Sequence, residues 1–149
     1  MKIATTRFGD VDVPESEVYS FPEGILGFSD IRQYVVLNNP KGGPFQWLQS
    51  LELPSLAFVV CDPRIFMSDY KIKVKEEDIS SIKLYDIAGG FVLVIVTVPK
   101  DPMEMTANLL GPLIFNPKEK LAKQLVLSES GYTTKHKILK GDEQGSVKD

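Results

Sequence analysis

Cys61 and His136 are the only cysteine and the only histidine in 149 residues, and they limit the chemistry this chain can offer. A thiol beside an imidazole makes a nucleophile and its base, and sequence spacing alone allows the two to meet. The pair works only if the thiol is accessible and lowered in pKa by a nearby cation. Cys61 instead ends the apolar run Leu56-Ala57-Phe58-Val59-Val60-Cys61, stopped by Asp62-Pro63. A thiol in such a run behaves as a small buried hydrophobe. His136, in Tyr132-Thr133-Thr134-Lys135-His136 near the C-terminus, reads as an exposed or half-packed side chain rather than a general base. One His and one Cys cannot build a typical zinc site, and a single cysteine excludes an internal disulfide. Gly42-Gly43 and Gly89-Gly90 lack the Lys-Ser/Thr of a phosphate-binding loop and the strand–glycine–helix setting of a dinucleotide site, so both read as turns. Glu76-Glu77-Asp78 reads as a solvated helix start, with negative charge at the positive end of the dipole. The expectation is a protein without catalytic residues, metal or cofactor.

Binding remains. Lys71, Lys73 and Lys75 form a ladder beside Tyr70, and a small β-barrel that binds nucleic acid combines a basic groove with stacking aromatics. Glu76-Glu77-Asp78 follows at once, however, and 17 basic against 20 acidic residues give a net charge of -3. That sign disfavours a phosphate backbone, so a nucleic-acid-binding barrel stands as the alternative and protein partners as the main reading. The N-terminus, Met1-Lys2-Ile3-Ala4-Thr5-Thr6-Arg7, lacks the apolar stretch of a signal peptide. No run approaches the ~18 apolar residues of a membrane span. A cytoplasmic location away from membranes is expected.

The elements that must position any binding surface are short β runs broken by Pro, Gly and Asp. Ile3 and Thr5, then Val11 and Val13, alternate around Phe8-Gly9-Asp10 and predict a hairpin. Strands are expected at Val35–Leu37, within Phe45–Ser50, from Leu56 to Cys61, at Leu113–Phe115 and from Gln124 to Leu127. Tyr70, Ile72 and Val74 alternate with the lysines and predict a half-buried strand. Phe91 to Val98 carries no charge and ends at Pro99, which predicts a central strand covered on both faces. Helix is scarce: a short one across Lys75–Ile82, and turns at Ser29–Arg32, capped by Ser29, and at Pro117–Leu121. The fold class is mainly β, a small antiparallel β-barrel-like single domain with a few short helical turns. It spans residues 1–139. Lys140–Asp149 has one apolar residue and is expected to be a flexible polar tail.

Three segments, in order and spacing, resemble the flagellar assembly factor FliW family. They are Phe21-Pro22-Glu23-Gly24-Ile25-Leu26-Gly27-Phe28; Pro44 to Ser50 followed by Leu56 to Pro63; and Val94 to Pro99 running on to Met105–Asn116. The run from Thr106 to Asn116 is the most specific. The resemblance implies a mainly β barrel-like fold, no catalytic activity and two protein partners. One is flagellin, held before export. The other is CsrA, a translational repressor that the protein antagonises when flagellin has left it. Neither nucleic acid nor membrane is implied as a direct partner.

The loop Pro22–Phe28 and the segment Met105–Asn116 are the candidate contact regions, because both mix turn residues with apolar side chains. Phe28 and Leu109 are the apolar candidates and Asn108 the polar one. Each also has a purely structural reading. Pro22-Glu23-Gly24 is a turn by its chemistry, Phe21 and Phe28 can pin it to the core, and Asn108 and Asn116 can satisfy backbone groups at strand ends.

Overall fold

The protein is described, over residues 1–139, from a computed structural model. The polar segment from Lys140 to Asp149 lies outside the described residues. The chain opens with the expected hairpin of β1 (Lys2–Thr5) and β2 (Gly9–Asp12). Its turn falls slightly earlier than the sequence suggested, because Gly9 already pairs with Thr5. The Thr5 hydroxyl fixes that turn by accepting from the Phe8 N–H at 2.8 Å and donating to the Gly9 carbonyl at 2.7 Å.

The next strands, β3 (Val18–Ser20), β4 (Gln33–Asn38), β5 (Gln46–Ser50), β6 (Ala57–Cys61) and β7 (Phe91–Thr97), pair in sequence order and antiparallel. Beyond β7 lie β8 (Thr106–Ala107), β9 (Leu113–Asn116) and β10 (Leu121–Gln124). The start of β7 pairs with β9, β9 with β10, and β10 with β3, so seven strands close a barrel. The end of β7 pairs instead with β8, which carries β11 (His136–Lys137) as a small flap.

The closing seam departs from an all-antiparallel barrel. β3 and β10 run parallel and share a single register pair, Ser20 with Leu121. The Ser20 N–H donates to the Lys120 carbonyl at 3.0 Å. The next rung of that ladder needs an amide hydrogen at position 22, where proline has none. Backbone pairing across the seam therefore ends as soon as it begins.

Alternation decides which side chains enter the barrel. Tyr34, Leu48, Val60, Leu93, Leu113 and Phe115 point inward and are buried. Phe21 meets Tyr34 and Phe115 edge-to-face at 5.2 and 5.7 Å, the geometry aromatic pairs favour. The outer face of β4, through Val35 and Leu37, is covered by Ile3, Val11 and Val13 of the hairpin. The outer side chains Cys61, Val94, Val96 and Ile114 are covered by the long β6–β7 connection. That connection contains the short helix α1 (Glu76–Ser80) and brings Ile79, Ile82 and Leu84 onto the sheet. The middle of β7, Leu93–Val96, is thus covered on both faces, while Phe91 and Thr97 at its ends and Val98 beyond it stay exposed.

Four expectations are corrected. Tyr70–Lys75 forms no strand. Tyr70 is buried, Ile72 and Val74 are half-buried and the lysines are exposed, so the alternation is real, but the segment is a strap without a ladder partner. The period records burial on one side, which a sheet's outer face supplies as well as a neighbouring strand does. β10 also begins at Leu121 rather than Gln124, and Pro117–Lys120 is a hairpin turn, not a helical one. The Asn116 carboxamide explains the shift, since its Oδ1 accepts from the Lys118 and Glu119 N–H groups at 3.1 and 3.3 Å. Ser29–Arg32 forms a turn without a helix.

Candidate protein-docking site

Loop 22–28 leaves β3 and folds across one end of the barrel. Phe21 and Ile25 anchor it in the interior. The Gly24 N–H donates to the Phe21 carbonyl at 2.9 Å, and the Phe28 N–H to the Ile25 carbonyl at 2.7 Å. Gly24 sits at φ +66°, and a Cβ there would stand 2.6 Å from the Ser29 Cα, so only glycine fits. With Ile25 turned in, Leu26 is turned out: it is 71% exposed, and Phe28 is 37% exposed with its ring edge against Phe58 at 5.5 Å.

The second region meets the first. The Asn108 N–H donates to the Ile95 carbonyl at 2.9 Å, and its Oδ1 accepts from the Gly111 N–H at 2.8 Å. Gln124, near the end of β10, lies between the two regions. Its Oε1 accepts from the Leu26 N–H at 2.9 Å and its Nε2 donates to the Gly111 carbonyl at 3.0 Å. A Cβ on Gly111 would stand 2.9 Å from that Nε2, so glycine is what admits the contact. Leu26 and Phe28 on one side and Asn108 on the other therefore share one end of the barrel.

Of the candidate contacts, Phe28 and Asn108 keep exposed surface, whereas Leu109 has none. The Leu109 N–H donates to the Thr133 carbonyl at 3.0 Å, and its carbonyl accepts from the buried Tyr70 hydroxyl at 2.8 Å. Its side chain packs with Ile79 and Leu125 outside the barrel wall, so it anchors the segment and touches no partner in this conformation. Asn116 is buried too and has the structural role expected of it, its Nδ2 donating to the Ile82 and Lys83 carbonyls at 2.9 and 3.2 Å. Sequence reasoning missed Leu26 and Gln124. For Leu26 a signal existed: Ile25-Leu26 lies between two glycines, and a tight loop can bury only one of two adjacent apolar residues. For Gln124 there was none.

The chemical candidates stay apart from this site. Cys61 has no exposed surface, and desolvation pushes its thiol up to about 12, with the Asp62 carboxylate adding to the rise. At neutral pH it is a thiol and a poor nucleophile. His136 lies in β11, paired with Ala107, its ring stacked on Phe66 at 6.1 Å. Among the described residues no group of three or more His, Cys, Asp or Glu is placed to hold a metal, and no helix is long and apolar enough to cross a membrane.

Comparison with known proteins gives a consistent result. The family model described as "FliW protein" matches residues 2–138. The chain is 42% identical over 147 residues to the flagellar assembly factor FliW of Natranaerobius thermophilus, covering 98% of this chain and 96% of that one. It is 45% identical over 136 residues to the flagellar assembly factor FliW of Geobacter sulfurreducens, covering 91% and 85%. A crystal structure of the flagellar assembly factor FliW superposes with a TM-score of 0.88 at 31% identity, over 99% of this chain and all of that one.

Proposed function

The chain belongs to the FliW family of flagellar assembly factors, which are not enzymes, and from that premise we propose that it acts in the cytoplasm by binding flagellin and the translational repressor CsrA in competition. Flagellin held before export occupies the protein and leaves CsrA free to repress. Flagellin that has left by export frees the protein to antagonise CsrA. The switch needs no chemistry, because the free concentration of one ligand decides how much of the other is bound.

What carries this reading is the meeting of two family-like segments at one end of the barrel, with Leu26 and Phe28 exposed there. Exposed apolar side chains set on a rigid barrel have the composition of a docking surface. The net charge of -3 supports the CsrA half of the proposal, since a surface that binds RNA is basic and an acidic antagonist attracts it at long range.

Calorimetric titration tests the proposal directly. Purified protein is expected to give a saturable heat with flagellin and with CsrA, and flagellin is expected to displace CsrA from a preformed complex. No heat with either partner from the folded protein overturns the proposal. Simultaneous, independent binding of both overturns the competition.

A further inference from the structure

We infer that Gln124 is the positioning residue that holds loop 22–28 and the Asn108–Gly111 corner together as one docking surface, so that a disturbance at either region reaches the other. That a partner lands there rests on the function proposed above. That Gln124 couples the two regions does not.

The seam makes such a residue necessary. Backbone pairing between β3 and β10 stops at Pro22, so the loop beyond it runs along β10 without a rung. Two side-chain ties take over. One is the Lys123–Glu23 ion pair at 3.7 Å, with Glu23 65% exposed, a contact that solvent and salt weaken. The other is Gln124, whose carboxamide engages at both ends. Hydrogen bonds join the Leu26 N–H to Gln124 Oε1, Gln124 Nε2 to the Gly111 carbonyl, and the Gly111 N–H to Asn108 Oδ1, each between 2.8 and 3.0 Å, with the backbone of Gly111 as the link between the last two. Only a neutral side chain with an acceptor and a donor on one rigid plane can do this here. Glutamate would keep the Leu26 contact but turn an oxygen toward the Gly111 carbonyl. Methionine, similar in length, would make neither contact.

Amide hydrogen exchange on the purified chain tests the coupling without a partner. Gln124→Met is expected to speed exchange of the Leu26 amide about three- to tenfold, the net worth of one neutral hydrogen bond. Asn108→Ala is expected to speed Leu26 exchange in the wild-type background, although it leaves the Leu26 bond itself intact. The same change in the Gln124→Met background is expected to leave Leu26 exchange where Gln124→Met put it. Gln124→Glu, which keeps the Leu26 acceptor and covers the case in which Gln124→Met fails to fold, is expected to hold Leu26 slow and abolish its response to Asn108→Ala. A Leu26 amide that ignores Asn108→Ala in the wild-type background, or responds equally in all three, overturns the inference. A second arm titrates flagellin into Leu26→Ala, Asn108→Ala and the double variant. Losses of affinity that are non-additive with Gln124 present and additive in Gln124→Met support the coupling, and additivity in both overturns it. Absence of flagellin binding to the wild-type chain overturns the proposed function instead, and the exchange arm then decides the coupling alone.

Discussion

Asn116→Ala removes a side chain that makes four hydrogen bonds from a position 3% exposed. Its Nδ2 ties β9 to the Ile82 and Lys83 carbonyls just beyond α1, and its Oδ1 fixes the turn into β10. A neutral hydrogen bond contributes about 0.5–1.5 kcal/mol net, and a buried acceptor left without a donor costs about 1–3 kcal/mol. Lys118 and Glu119 lie on an exposed turn, where water replaces the lost acceptor, so those two bonds count at the low end. The Ile82 carbonyl, on a residue 1% exposed, counts at the high end. The expected loss is about 2–4 kcal/mol, which for a domain of this size lowers the melting temperature by roughly 10 °C. Urea unfolding is the assay, and the midpoint should fall with the slope unchanged. Asn116→Asp provides the control for shape: it keeps the turn acceptor but sets a carboxylate oxygen against two carbonyls, and should destabilise at least as much. If both variants unfold within about 0.5 kcal/mol of the wild type, the usual range for a surface change, the role assigned to Asn116 is wrong.

Leu109→Ala should cost about 2–5 kcal/mol by emptying a fully buried site, whereas Phe28→Ala should weaken partner binding with little change in melting; reversed results would exchange the two assignments. Val94→Asp, at a position of β7 with no exposed surface under the β6–β7 connection, should cost at least about 3 kcal/mol, and a normal melting curve would remove β7 from the core. Cys61 should resist alkylation at pH 8 in the folded protein and react at once in urea, so labelling at the rate of a free thiol would contradict its burial. Glu52 accepts from the Arg32 and Gln33 N–H groups at 2.7 and 2.8 Å, and the Gln33 and then the Arg32 contact hold its carboxyl below the usual 4.5. A carboxyl lowered by folding contributes stability above its ordinary value and loses it as the pH falls through the folded one. Glu52→Gln should therefore flatten the acid limb of a stability–pH curve below about pH 4.5, and an unchanged limb would refute the assignment.

The sequence pattern made some of this visible for definite reasons. Phe91–Val98 carries no charge, and its central part, Leu93–Val96, lying between the barrel interior and the β6–β7 connection, has no place for one, although Phe91 and Val98 themselves are exposed. The same logic made Cys61 a core residue before its neighbours were known. The strap at Tyr70–Lys75 misled because alternation reports which side is dry, and a strand's pairing partner leaves no trace in its own residues. The parallel seam was beyond reach for a related reason: Ser20 and Leu121 come from opposite ends of the chain, and nothing local to either announces the other. At the candidate site, turn residues mixed with apolar side chains pointed to both regions, but direction did not follow. Leu109 and Leu26 are equally apolar in the sequence, and only the fold turns one inward and the other out.

The seam also bears on how the polypeptide comes into being. A ribosome releases β3 long before β10 exists, and with about a hundred residues between them the delay is on the order of 5–20 s at ordinary rates of synthesis. Until then β3 through β7 can form only an open, curved sheet. The free side of β3 and the outer flank of β7 are then unprotected, each able to pair with another nascent chain. Closure joins distant parts of the chain, the slow kind of contact, and Pro22 limits its backbone rungs to the single register pair. The N-terminal hairpin, already made and lying over β4, is the first cover this intermediate carries.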